Sequence, residues 1–365
     1  FQVCGNPEKD LNSVQIVGTN GKGSTAATLS NILCESGIKV GLYTSPHLVD
    51  LSERIQINNN PIDDTFINNF IDLFSSDIEL LGCTFFETLT AMAAYYFKDQ
   101  GVEVAIFETG LGGKFDSVTA CNSKLQLFTK ISMDHSHILG DSIEKIAIDK
   151  SCAIHSNSIC YSVQQDHNIS QILIDKAKDK SAEINFNLEN FNDKIIPSLF
   201  GNHQIENTRL AITAAKHFIN LSENNISKSI SNVHWPGRVE LIQDNPTVYF
   251  DVSHNDDSIH AFCDAIKSLN HTNKKTLIIS IQKTKNIIES IPKLENIFSK
   301  IIITSLNERM YTTQILSSMF SNQTKIEISK DPDKAIKNTM KDIEDNELLA
   351  IIGSHYWGEH IYENF

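Results

Sequence analysis

The apolar run Val14-Gln15-Ile16-Val17 passes directly into Gly18-Thr19-Asn20-Gly21-Lys22-Gly23-Ser24, and this junction constrains the fold more than any other segment. A short apolar run that ends in a glycine-rich turn reads as a strand. Thr25 to Ser36 then reads as a helix with Ala26, Leu29, Ile32 and Leu33 on one face; Gly37 closes it, and Lys39 to Tyr43 is the next strand. Strand, loop, helix, strand is the opening of a parallel α/β sheet. Small residues at the strand end let several backbone N–H groups converge on an anion, and the positive end of the following helix faces the same point. Lys22 is placed to neutralise phosphate charge, and the Ser24 hydroxyl to reach Mg²⁺. The spacing departs from G-x-x-x-x-G-K-[ST], because Gly23 stands between Lys22 and Ser24.

The rest of the chain continues the alternation. Val102 to Phe107 reads as a second strand ending in a glycine-rich turn, Gly110-Leu111-Gly112-Gly113, and Leu125 to Ile131 as a third. Ligands of open α/β sheets bind at the carboxyl ends of strands, so the polar loops 18–24, 108–116 and 132–141 are the candidate site. The pattern weakens between residues 155 and 200. A helix over 203–220 follows, and the polar Ser222-Glu223-Asn224-Asn225 marks the approach to a domain boundary. Strands at 247–250, 276–281, 300–303 and 348–352 then alternate with helices near 257–269, 312–320 and 332–345. The expected organisation is an α/β N-terminal domain over 1–230, with a mostly parallel sheet covered by helices on both faces, and a smaller Rossmann-like α/β domain over 231–365.

Composition narrows the function. The 365 residues carry a net charge of -14, which repels phosphate backbones and argues against a nucleic-acid partner. Seven cysteines, an odd number with no C-x-x-C pair, fit free thiols in a reducing, cytoplasmic compartment. No apolar run approaches the ~18 residues of a membrane span, and the first ten residues have no signal-peptide pattern.

Taken together, the motifs resemble the folylpolyglutamate synthases and dihydrofolate synthases of the Mur ligase superfamily. The resemblance rests on Val17 to Ser24; Tyr43-Thr44-Ser45-Pro46-His47-Leu48 with Glu53-Arg54-Ile55; Phe85-Phe86-Glu87; and Glu108-Thr109-Gly110-Leu111-Gly112-Gly113-Lys114-Phe115-Asp116. It continues through Asp134-His135, Asp149-Lys150, His203-Gln204 with Asn207, Pro236-Gly237-Arg238 and Asp251-Val252-Ser253-His254-Asn255. Order and spacing agree over roughly residues 14 to 356, and the bacterial bifunctional type is the most similar.

The resemblance implies a ligase that joins the amino group of L-glutamate to a pteroate or folate carboxylate. ATP first phosphorylates that carboxylate, and the amine then displaces phosphate. It implies that Gly18, Thr19, Asn20, Gly21, Lys22, Gly23 and Ser24 hold the ATP phosphates, with Asn207 on the adenine side, Arg238 on the phosphates, Asp251 on the ribose and His254 near the phosphates. Residues of both domains would then hold ATP. Ser24, Ser45 and Glu108 match the ligands of one Mg²⁺ and His135 that of a second. Lys150 matches a lysine carbamylated in much of the superfamily, and an ordinary solvated lysine fits the same position. Arg54, Phe86 and Asp116 are candidates for the pterin and benzoate side, although Phe86 fits equally a core position. Incoming glutamate is expected near Ser253, His254 and Ser354-His355-Tyr356. A monomer is the family expectation.

The chain departs from the family pattern in places, and the first two departures, in the loop that borders the substrate, concern substrate detail. Lys114 stands where the family usually has Arg, and Thr119 where it has Asn. The family's Asp-Lys-Asp is replaced within Gln282-Lys283-Thr284-Lys285-Asn286, and the lead-in before the loop is short. The rival readings are a Mur-type ligase of cell-wall precursors, a nucleotide-binding regulatory module, and a degenerate, inactive relative. The Thr44-Ser45-Pro46-His47 loop with Arg54 argues against the first. The combination of Glu108, His135 and Lys150 with the loop argues against the second.

Overall fold

The structure is a computed structural model that describes residues 1–192, 194–269, 273–321 and 325–365. The chain divides into two compact units. The first comprises residues 1–198 and 204–234, and the second residues 199–203 and 235–365.

The first unit is built on an eight-stranded sheet of order β4-β3-β2-β5-β1-β6-β7-β8. Its strands are β1 Ser13–Val17, β2 Val40–Tyr43, β3 Ile55–Ile57, β4 Asn60–Pro61, β5 Val104–Glu108, β6 Leu125–Phe128, β7 Ile159–Ser162 and β8 Glu183–Asn185. All neighbours are parallel except β2–β3 and β3–β4. Every residue of β1, β2, β5 and β6 is buried. That is why these strands read as near-continuous apolar runs, as strands covered on both faces must. The helix after the glycine-rich loop spans Lys22–Glu35, starting three residues before the expected Thr25.

Several elements lie outside the sequence pattern. Two helices, Asp64–Leu81 and Phe85–Asp99, follow one another in close succession. Their punctuation is local: Asp63 accepts from the Phe66 N–H, Gly82 ends the first helix at φ 63°, and Thr84 and Glu87 form a capping box for the second. The weak region 155–200 supplies β7, helix His167–Asp179 and β8. The polar stretch Ser222 to Asn225 lies shortly before the division between the units at His234 and Trp235. Ser222 caps a helix, Glu223–Ile230, that docks on helix Lys22–Glu35, where Asn31 Nδ2 donates to the Ser229 carbonyl at 2.7 Å.

The second unit carries a six-stranded sheet of order β13-β12-β11-β14-β10-β9. Its strands are β9 Glu240–Gln243, β10 Thr247–Asp251, β11 Lys275–Ile279, β12 Lys300–Ile303, β13 Lys325–Ile328 and β14 Leu348–Ile352. Only the β9–β10 pairing is antiparallel. β14 is buried along its length and lies between β10 and β11. The core of this unit includes Ile259, Phe262, Leu277, Ile279, Phe298, Ile301 and Ala350.

The Phe262 and Phe298 rings stack at 6.4 Å with 8° between their planes. Phe262→Ala leaves a cavity in this core and costs about 3–5 kcal/mol of stability, read as a lowered denaturant midpoint. A loss under about 1 kcal/mol would contradict this packing.

Candidate functional site

The three polar loops expected at strand ends leave β1, β5 and β6, which are adjacent and parallel. Parallel strands end at the same edge, so the loops meet there. Thr19 N donates to the Lys130 carbonyl at 2.9 Å, the Thr19 hydroxyl donates to Ser132 O at 3.0 Å and accepts from Ser132 N at 3.1 Å, and Asn20 Nδ2 donates to Ser132 Oγ at 3.2 Å. Lys150, on helix Ile143–Ser151, donates from Nζ to the Gly18 carbonyl at 2.7 Å.

The glycine-rich loop presents an uncapped helix end. Gly21 is the N-cap at φ 87°, without a side-chain hydrogen bond to the first turn. Only glycine fits there, because a Cβ would lie 2.4 Å from Asn207 Oδ1. Asn207 is buried, with Nδ2 donating to Gln204 Oε1 at 3.0 Å. Lys22 Nζ folds back to the Thr19 carbonyl at 3.1 Å. The Ser24 hydroxyl is buried without a hydrogen-bond partner in the protein. A buried hydroxyl costs free energy unless something bonds it. An oxygen-seeking cation or a phosphate at the helix end would satisfy it.

Glu108 closes β5 and is 5% exposed; its Oε2 accepts from Ser45 N at 3.1 Å. Among the described residues no three His, Cys, Asp or Glu side chains gather around a common point for a metal ion. The candidate donors, the hydroxyls of Ser24 and Ser45 and the Glu108 carboxylate, are the hard, sparse set that suits Mg²⁺ rather than a softer ion. His135 sits on the separate loop after β6, its backbone N–H bonded to Asp134 Oδ1 at 2.7 Å and its Nε2 3.9 Å from that same oxygen.

Lys150 is 5% exposed, and its ammonium is pulled down to about 7, first by burial and then by Lys22; Asp134, Asp149 and Asp116 oppose the shift. Asp134 and Asp149 therefore belong to this cluster, although neither is a candidate from the sequence. Each immediately precedes one, His135 and Lys150, and that adjacency is the available signal. Asp149 Oδ1 accepts from Gly113 N at 2.8 Å. The Gly113 carbonyl accepts from the Thr119 hydroxyl at 2.7 Å, and Gln15 Nε2, from the middle of β1, donates to Thr119 Oγ1 at 2.9 Å and Thr109 Oγ1 at 3.1 Å. A polar residue inside the central strand thus fixes the loop after its neighbour.

Asp116 is buried, and burial raises its carboxyl above the usual value. Its oxygens accept from Leu111 N at 2.8 Å and Val118 N at 2.9 Å, so it clasps its own loop, and any substrate contact shares those oxygens. Phe86 packs against the core, 5.7 Å from the Tyr43 ring and against Gly110. The exposed aromatic is its neighbour Phe85, with the Arg54 guanidinium 5.4 Å from its centroid and Arg54 Nε bonded to His47 Nδ1 at 3.0 Å.

In the second unit Asp251 ends β10, and its two oxygens accept from Val239 N at 2.8 Å and Ser253 N at 2.7 Å. Val239, the residue after Arg238, stands at φ 47°. His203 is pulled down by burial, with Asp251 opposing and Arg238 adding to the shift. The Ser253 hydroxyl is buried and unpartnered. His254 Nδ1 lies 2.7 Å from the Val252 carbonyl, an acceptor, which sets the proton on Nδ1; the ring is 5.9 Å from that of His355. Asn255 caps helix Asp256–Ser268.

A Cβ on Gly113 would lie 2.7 Å from the Lys150 carbonyl and 2.9 Å from that of Asp149, both backbone. Gly113→Ala therefore costs about 1–3 kcal/mol of stability in denaturant titration. A neutral result would mean that the loop yields without moving the Lys150 helix.

Comparison with known proteins follows the same lines. Residues 237–355 match the family described as Mur ligase, glutamate ligase domain. The chain is 31% identical to the dihydrofolate synthase/folylpolyglutamate synthase of Bacillus subtilis over 391 aligned positions, covering 97% of this chain and 90% of that protein. The fold is similar to that of Mycobacterium tuberculosis folylpolyglutamate synthase complexed with ADP, with a TM-score of 0.92 at 22% identity over 99% of this chain and 92% of that one. It is also similar to E. coli FolC in complex with ADP, without folate substrate, with a TM-score of 0.89 at 25% identity over 99% and 91% of the two chains. With this identity sustained over nearly the full length of both proteins, the chain belongs to the dihydrofolate synthase/folylpolyglutamate synthase family of Mur-type ligases.

Proposed function

We propose that this protein is an ATP-dependent, ADP-forming ligase that adds L-glutamate to dihydropteroate, to reduced folates, or to both. The observation that carries the reading is the convergence of the loops after β1, β5 and β6 around an uncapped helix end, with Lys22, Glu108 and the buried Lys150 on the elements that meet there. Full-length likeness to a dihydrofolate synthase/folylpolyglutamate synthase supports it.

In the reaction an acceptor carboxylate attacks the γ-phosphorus of ATP, ADP leaves, and an acyl phosphate results. The glutamate amine then attacks the acyl carbon, and phosphate departs from the tetrahedral intermediate. Two anions must approach in the first step, so positive charge has to be supplied. The N–H groups at the start of helix Lys22–Glu35, the loop 18–24 and Lys22 provide part of it. Mg²⁺, held by Ser24, Ser45 and Glu108 with a second ion at His135, would supply the rest. Asn207, Arg238, Asp251 and His254 are assigned to the nucleotide, Arg54, Asp116 and the part of Phe86 left uncovered by the core to the acceptor, and Ser253 with His254 to the incoming glutamate. The seven free cysteines support a reducing, cytoplasmic setting, and we assign a monomer.

Lys150 is assigned as the carbamylated lysine. Its lowered value makes the neutral amine abundant near neutrality. The nitrogen lone pair attacks the carbon of CO₂, one C=O electron pair moves to oxygen, and the nitrogen releases a proton to solvent. The product is an anion, which removes the like-charge repulsion from Lys22.

Glutamate-dependent phosphate release measured with dihydropteroate, tetrahydrofolate and a uridylated muramoyl peptide tests the function. Release with either folate-type acceptor is expected, and release with the peptide alone would overturn the reading. Lys22→Ala and Glu108→Ala should each abolish ligation while the unfolding temperature holds. Wild-type turnover by Glu108→Ala would remove its metal assignment. For Lys150, the folded value lies below the ordinary lysine value of about 10.4. The unfolded chain therefore binds more protons across about pH 7 to 10, and stability rises with pH through that window. Over its lower part, a ¹³C carbamate signal from labelled bicarbonate should grow as the amine deprotonates. No signal at about pH 8 in wild type, or the same signal in Lys150→Met, would refute carbamylation at this residue.

A further inference from the structure

We infer that Glu240, tethered by Tyr362, is a positioning residue that aims Arg238. This rests on the nucleotide-phosphate role proposed above for Arg238.

The turn Gly237-Arg238-Val239 is held from both sides of Arg238. Gly237 N donates to Glu240 Oε2 at 2.7 Å, and the Tyr362 hydroxyl, on the C-terminal helix Gly358–Asn364, donates to the same oxygen at 2.9 Å. On the far side Val239 N donates to Asp251 Oδ2 at 2.8 Å. The Gly237 carbonyl accepts from Val252 N at 3.1 Å and from Arg238 Nη1 at 2.9 Å. Two carboxylates, one on each strand of the β9–β10 pair, thus bracket one arginine.

The backbone between them is strained. Val239 is β-branched and stands at φ 47°, a region such residues avoid. A residue persists there only where its surroundings over-determine it. Here the side chain is buried in the core of the unit, Asp251 holds the N–H, and Glu240 pairs with Phe250 in the sheet. Strain of this kind gathers where geometry matters to function. Its effect is to fix the arm from which the guanidinium swings. A planar, forked donor recognises phosphate oxygens only when correctly aimed.

Glu240 contributes the part of this clasp that is not otherwise needed to end a strand. Its carboxylate reaches back three residues to a buried glycine N–H. Glutamine at 240 keeps an acceptor oxygen for that N–H; alanine does not.

The test measures ADP affinity by calorimetry and KM for ATP, glutamate and acceptor, alongside the unfolding temperature, in Glu240→Ala, Glu240→Gln, Tyr362→Phe and Arg238→Ala. Glu240→Ala should raise KM for ATP and weaken ADP binding about tenfold, the worth of one charge-assisted hydrogen bond. The KM values for glutamate and acceptor should stay within about twofold. Glu240→Gln should recover most of the loss, and Tyr362→Phe should show a smaller change of the same kind. A merely structural role predicts a lower unfolding temperature and less active enzyme with every KM and the ADP affinity unchanged; that result overturns the proposal. If Arg238→Ala weakens ADP binding but Glu240→Ala does not, the positioning role fails and the nucleotide role of Arg238 stands. If Arg238→Ala leaves ADP binding unchanged, both fail.

Discussion

Three parallel strands with a common edge are the constraint on which the first unit depends. β5, β1 and β6 are buried on both faces, so their polar requirements are met inside the sheet and at its rim. At that rim the loops bond one another: Thr19 and Asn20 to 130–132, Gly113 to Asp149, and Lys150 to Gly18. Each loop is therefore held in place by its neighbours. The buried Gln15 extends the same logic into the sheet, where an apolar residue would have packed as well but could not have held Thr109 and Thr119.

Charge is concentrated at this rim on a chain that is otherwise acidic. Lys22 and Lys150 repel each other, while Asp116, Asp134 and Asp149 partly compensate. Burial makes the conflict worse, since a buried charge loses the water that would screen it. The protein keeps two lysines close, the buried Lys150 with its ammonium pulled down to about 7, and leaves the Ser24 hydroxyl without a partner. Both features cost stability in the absence of a ligand. The second unit handles its arginine differently, by directing carboxylates to the backbone around it.

Much of this is legible from residue patterns. The alternation of apolar runs with glycine-rich turns locates β1, β5 and β6, because strands buried on both faces leave an uninterrupted signal. The strands β11, β12 and β14 are legible for the same reason, and β10 by its partly buried apolar residues. The helices Asp64–Leu81 and Phe85–Asp99 escape that pattern, although Asp63, Gly82 and the Thr84–Glu87 box mark their ends, since such caps act through hydrogen bonds rather than hydrophobic period.

The sequence by itself determined the class of sheet, the glycine-rich loop with Lys22 and Ser24, and the set of polar residues at strand ends. Those depend on short-range patterns: spacing, period and small residues in succession. The tertiary structure decided which of these residues touch. It placed Asp134 and Asp149 beside Lys150, turned both oxygens of Asp116 and Asp251 toward backbone N–H groups, and put Phe85 rather than Phe86 at the surface under Arg54. It also forced Val239 into a strained turn between two carboxylates. None of this could be read from spacing, because burial and the sharing of hydrogen bonds are properties of strand order and of residues far apart in the chain.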